Sequence, residues 1–91
     1  MNEEIFTVYD SAARRYLRPF HAQTIEMALR QFRAILTDPE HQFARFPEDY
    51  SLFHIGTFDS ERGEVIPVIP PHSLGVAITM MPIQRGPEVM Q

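Results

Sequence analysis

The chain has no cysteine and no lysine. Without cysteine there is no disulfide framework and no thiolate chemistry, which suits a reducing cytoplasm. Without lysine, every basic residue is arginine, the side chain that grips phosphate bidentately and stacks on aromatic planes. Glycine is scarce and scattered, with four in 91 residues, so no phosphate-cradling loop is recognisable. Long apolar runs are missing too. The longest, Leu74 to Ile83, contains Gly75 and Pro82 and is too short to span a bilayer. The opening MNEEIF is acidic and lacks the apolar stretch of a signal peptide.

What remains fits one small folded domain. Hydrophobic residues make up 44% of the chain, and a protein of this length buries roughly two-thirds of its unfolded surface. The net charge is −4 and unevenly spread. Residues 1–37 hold five arginines against four acids, whereas residues 38–91 hold three arginines against eight acids.

Residues 4–9, EIFTVY, alternate in strand fashion. Asp10 and Ser11 are turn-formers, and residues 16–20 return as a short extended segment that Pro19 confines to an edge. Residues 22–36, AQTIEMALRQFRAIL, place Ala22, Ile25, Ala28, Leu29, Phe32, Ile35 and Leu36 on one helical face. Thr37 to Glu40 then ends this helix and starts a short one at 39–45, capped by Thr37 or Asp38. Strands follow at 51–58 and 64–68 around an Asp59–Gly63 turn, with Pro67 and Pro70 placing the second at an edge. SLGVAITMM reads as a short strand or as a helical turn capped by Ser73, and residues 82–91 as a tail.

The order β-β-α-short α-β-β predicts an α+β fold: a small antiparallel sheet with one amphipathic helix on one face. Residues 1–70 form the domain, and 71–91 a C-terminal segment, docked or mobile. The expected core is Ile5 or Phe6, Val8, Ile25, Leu29, Phe32, Phe53, Ile55 and Phe58. Strand 51–58 raises a question, because simple alternation puts Leu52 and Phe58 on one side and Phe53 and Ile55 on the other. Two apolar faces in so small a protein imply that the C-terminal segment or a second copy covers one of them, and a homodimer is expected.

No constellation for catalysis is visible, so a non-enzymatic protein is expected. His21, His41, His54 and His72 lack the short spacings of structural zinc sites. Asp38, Glu40 and His41 read as a helix cap, His54 as a satisfied strand histidine, and Glu48–Asp49 as a solvated turn. No metal and no cofactor is expected.

One stretch suggests binding. YDSAARRYLRPFH interleaves Tyr9, Tyr16 and Phe20 with Arg14, Arg15 and Arg18, and aromatic stacking beside cations is how single strands are held. Arg30 and Arg33, on the polar face of the helix, extend the candidate patch. The overall acidity opposes this reading, and the arginines have Glu3, Glu4 and Glu26 as available partners. The competing reading is an acidic interaction module that dimerises, adds a strand to a partner protein, or mimics DNA.

Residues 46–64, FPEDYSLFHIGTFDSERGE, together with the strand ending VYD and the helix AQTIEMALRQF, resemble the small nonstructural protein of gokushovirus-type phages, in the single-stranded DNA Microviridae. The resemblance covers residues 4–70. It implies a phage accessory protein in the host cytoplasm, described as nonstructural or DNA-binding, that acts in the switch between genome replication and packaging. Single-stranded DNA or a phage or host replication protein is the partner it implies. It carries over no catalytic residue.

Overall fold

The computed structural model describes residues 2–82. Its elements are β1 (Asn2–Asp10), β2 (Arg15–Tyr16), β3 (Phe20–Ala22), α1 (Ile25–Ile35), α2 (Gln42–Arg45), β4 (Tyr50–Asp59), β5 (Glu64–Val76) and a 3₁₀ turn (Ala77–Met80). All strand pairs are antiparallel. The order across the sheet is β2-β1-β4-β5, with β3 also paired to β1. The α+β architecture with one main helix is therefore present.

The segment after the first turn is two short strands rather than one. Leu17 still leans on β1, donating its N–H to Val8 O at 2.8 Å and accepting from Thr7 Oγ1 at 2.6 Å. Pro19 has no N–H to give, so regular pairing lapses at residues 17–19 and resumes at Phe20. This resumption takes Ala22 out of the expected helix and sets it opposite Glu4. Helix α1 starts at Ile25 instead, because Thr24 is extended and its hydroxyl accepts from Met27 N at 3.1 Å.

The second helix is also shorter than expected. Thr37 turns back, donating to Ala34 O at 2.7 Å, and Asp38 Oδ1 accepts from Glu40 N. Neither caps α2. His41 does, its Nδ1 accepting from Phe43 N at 3.0 Å, which requires that nitrogen to be unprotonated.

A β-bulge corrects the expected face assignment of β4. Ile5 stands opposite Gly56 and Phe6 opposite His54, so Ile55 is the extra residue. Beyond it the alternation changes phase. Leu52, beside Val8, faces the helices, whereas Phe58, beside Glu3, shares the opposite face with Phe53.

The core lies between the sheet and the helices. Phe6, Val8, Ala22, Ala28, Phe32, Leu36, Phe43, Tyr50, Leu52 and Ala77 form one cluster, with Ile25 and Leu29 half-buried against it. Ile5, Phe6, Val8 and Phe32 are buried as expected. Phe53, Ile55 and Phe58 are not largely buried; they are intermediate, because among the described residues no helix packs on the face that Phe53 and Phe58 occupy.

Strand β5 continues past Pro67, Pro70 and Pro71 to Val76, an edge position where missing donors are tolerated. SLGVAITMM is thus both of its alternatives in turn: the end of a strand, then a 3₁₀ turn whose cap position is Val76, not Ser73. This segment closes the helix-side core. Ala77 is fully buried, Ile78 N donates to Pro47 O at 3.0 Å, and Leu74, Met80 and Met81 pack alongside. Among the described residues, neither a helix nor the 3₁₀ turn lies on the opposite face of β1 and β4. The expected tail at 82–91 lies, from residue 83, outside the described residues.

Candidate nucleic-acid interface

The candidate site is built where β1 turns into β2. Asp10 Oδ1 accepts from Ala12 N at 3.0 Å and from Ala13 N at 3.2 Å, and Ser11 N donates to Asp49 O at 2.8 Å. Aspartate makes this turn because its short carboxylate reaches backbone N–H groups two and three residues on. The turn leaves Arg14 at φ 58°, a left-handed conformation that non-glycine residues rarely take.

Across the ladder Tyr9 stands opposite Tyr16, with ring centroids 4.7 Å apart. Alternation puts both on the face away from the helices, where Phe53 joins them from β4. Phe53 lies 5.6 Å from Tyr16 and 6.3 Å from Tyr9, nearly perpendicular to both, at 81° and 78°. Tyr16 is 51% exposed, and Tyr9 and Phe53 are half-buried.

Arg14, Arg15 and Arg18 are all exposed at the rim of this face. Arg15 pairs in register with Asp10, on the helix-side parity, so the arginines border the aromatic rings rather than lie among them. Phe20 belongs elsewhere: it stacks on Phe6 at 5.6 Å, on the helix side. Arg30 and Arg33 are exposed on α1, in the helix layer, and the sheet separates them from Tyr16.

Two of the carboxylates available to the arginines, Glu3 and Glu4, are taken by histidines. His21 Nδ1 meets Glu3 Oε1 at 3.1 Å, and His54 Nε2 meets Glu4 Oε1 at 2.7 Å. Among the described residues, Arg14, Arg15, Arg18, Arg30 and Arg33 form no ion pair; the arginine that does is Arg62, with Glu64. Their positive charge faces solvent.

Glu4, His54 and Thr57 form a half-buried hydrogen-bonded cluster. Thr57 Oγ1 donates to the same Glu4 oxygen at 2.9 Å that His54 Nε2 meets. No group of three or more potential metal ligands lies together among the described residues. No helix among them is long and apolar enough to cross a membrane.

The chain belongs to the family described as Phage ORF5 protein, whose model matches residues 3–80. It is 36% identical over 67 residues to "Protein ORF5" of Chlamydia phage 1, covering 69% of this chain and 70% of that one. These matches make it a small phage protein of Microviridae-like phages. No solved structure matches it significantly.

Sequence reasoning set Tyr9 and Tyr16 beside Arg14, Arg15 and Arg18, but it counted Phe20 among them and missed Phe53 as the third ring. The Tyr9–Tyr16 pairing follows from a tight turn after Asp10. Phe53 needed the register of β4, which the sequence does not print.

Proposed function

We propose that this phage accessory protein is a non-enzymatic, single-stranded-DNA-binding protein, acting on the DNA or its replication machinery at the switch from replication to packaging in the host cytoplasm. The observation that supports this reading is the set of exposed arginines at 14, 15 and 18, free of carboxylate partners among the described residues, beside the exposed ring of Tyr16. Unpaired DNA offers phosphates for the former and base faces for the latter. Three phosphate contacts give a salt slope of about −2 for a single strand. Fluorescence anisotropy of a labelled oligothymidylate across salt tests this: a slope near zero, or no affinity at low salt, removes the reading.

A second reading is favoured by a different surface. Val65, Ile66 and Ile69 on the outermost strand are 62%, 52% and 83% exposed, beside an acidic turn that carries Asp59, Glu61 and Glu64. This surface suits a protein partner, and a homodimer is its simplest form. Sedimentation that shows monomer at high concentration removes the homodimer.

A further inference from the structure

We infer that Tyr9, Tyr16 and Phe53 together form the base-stacking corner of the proposed site, so that the open sheet face, and not the loop alone, receives unpaired nucleotides. This rests on the single-strand reading above and names the residues that take the bases.

The three rings come from three strands, β1, β2 and β4, and meet on the sheet face on which no helix packs among the described residues. Such a cluster in a small protein is normally covered, because exposed aromatic area is unfavourable in water. Here residues 77–81 dock on the opposite side through Ala77. Tyr16 is exposed while Tyr9 and Phe53 are half-buried, and Phe53 stands nearly perpendicular to both tyrosines. Two planes at that angle let a base stack on one ring while its edge meets the other.

Charge selects the occupant. The rim carries Arg14, Arg15 and Arg18, which form no ion pair among the described residues, while the neighbouring Asp10 carboxylate is engaged by the Ala12 and Ala13 N–H groups of the turn. A ligand that satisfies this face presents flat π surfaces and negative charge at short, regular spacing. An unpaired polynucleotide does both, whereas an apolar peptide leaves the arginines unmatched and an acidic peptide leaves the rings unmatched.

The test uses the full chain and fluorescein-labelled oligothymidylate. Phe53→Leu, Tyr9→Leu and Tyr16→Leu keep apolar bulk but remove the ring. Each is expected to lower affinity roughly 5- to 100-fold with an unchanged salt slope, since stacking releases no counterions. Phe53→Tyr retains affinity, which a purely structural role for Phe53 does not require. In Tyr50→Phe, the remaining tyrosines are Tyr9 and Tyr16, and their emission is quenched on binding. Quenching settles the matter if Phe53→Leu fails to fold. If the leucine variants fold and bind like wild type while Arg14→Ala/Arg15→Ala binds more weakly, the corner is overturned and the arginine reading stands. Binding without tyrosine quenching overturns the corner as well. Absence of any wild-type affinity at low salt removes the single-strand reading and this inference with it.

Discussion

His54 and Glu4, 50 residues apart in sequence, meet at 2.7 Å between Nε2 and Oε1, and the contact ties β4 to β1 beside the core. The imidazole also lies 5.2 Å from the Phe6 ring. Glu4→Ala strips His54 and Thr57 of their shared acceptor. The expected loss is about 1–3 kcal/mol, the usual cost of unsatisfied polar groups in a half-buried setting. Urea unfolding measures it. Glu4→Gln, which keeps an acceptor, loses less, and equal losses for the two variants contradict this role.

Phe32 is 1% exposed and packs 5.8 Å from Phe43 at the centre of the helix-side core. Phe32→Ala removes a ring and leaves a cavity, with an expected cost of about 3–5 kcal/mol. Domains of this size have on the order of 5–15 kcal/mol in total, so a marginal or unfolded variant is expected. An unchanged melting temperature excludes Phe32 from the core.

Gly75 and Gly63 separate two roles of positive φ. Gly75 sits at φ 134°, and a Cβ there lies 2.7 Å from Met80 Cε. Gly63 sits at φ 66° with open space around it. Gly75→Ala strains the backbone and pushes on Met80, with an expected cost of about 1–3 kcal/mol. Gly63→Asn, which suits the left-handed region, costs less. Thermal unfolding of both variants gives the order.

The Tyr50 phenol is pushed above its ordinary value of 10.0 by burial, and then by the negative charges of Asp10 and Asp49. Above pH 10 the unfolded chain therefore releases this proton more readily than the folded one. With fewer protons bound to the unfolded state, stability falls as pH rises. Tyr50→Phe is expected to flatten that decline, measured by denaturant unfolding on either side of pH 10. A decline as steep as wild type assigns it to other groups.

Arg14→Ala/Arg15→Ala tests the arginines directly. Exposed arginines contribute little to folding, so stability holds while each lost phosphate contact flattens the single-strand salt slope by about 0.7. Arg14 offers a sharper variant, because its φ of 58° suits glycine better than arginine. Arg14→Gly is expected to keep or raise the melting temperature while weakening oligothymidylate binding. Equal binding by Arg14→Gly and wild type removes Arg14 from the site.

The fold was legible where pattern and chemistry agreed. Apolar spacing through Phe32 gave α1, and the Asp59 turn formed as its residues require, with Asp59 Oδ1 accepting from Glu61 and Arg62 N–H groups. The errors have physical causes. Thr24 caps α1, an N-terminal signal that the apolar residue at 22 obscured. His41 caps α2 although histidine is not a preferred cap. The bulge at Ile55 reversed the face of Phe58, and the signal for it was the strand glycine that follows, Gly56. The arginine half of the candidate site lies on one local turn and could be read directly. The Phe53 half depends on that bulged register and could not.

Strand β5 has a further consequence for how the protein meets others of its kind. Pro67, Pro70 and Pro71 deprive it of three amide hydrogens, and since adjacent N–H groups point to opposite edges, Pro70 or Pro71 takes one from its outer margin. A neighbouring chain that tries to extend the sheet there finds an interrupted row of donors, so the strand resists templated, fibril-like growth despite its exposed valine and isoleucines. Whatever adheres to it must match side-chain relief instead of backbone rhythm. The prolines thus permit a sticky margin without making it a polymerising one.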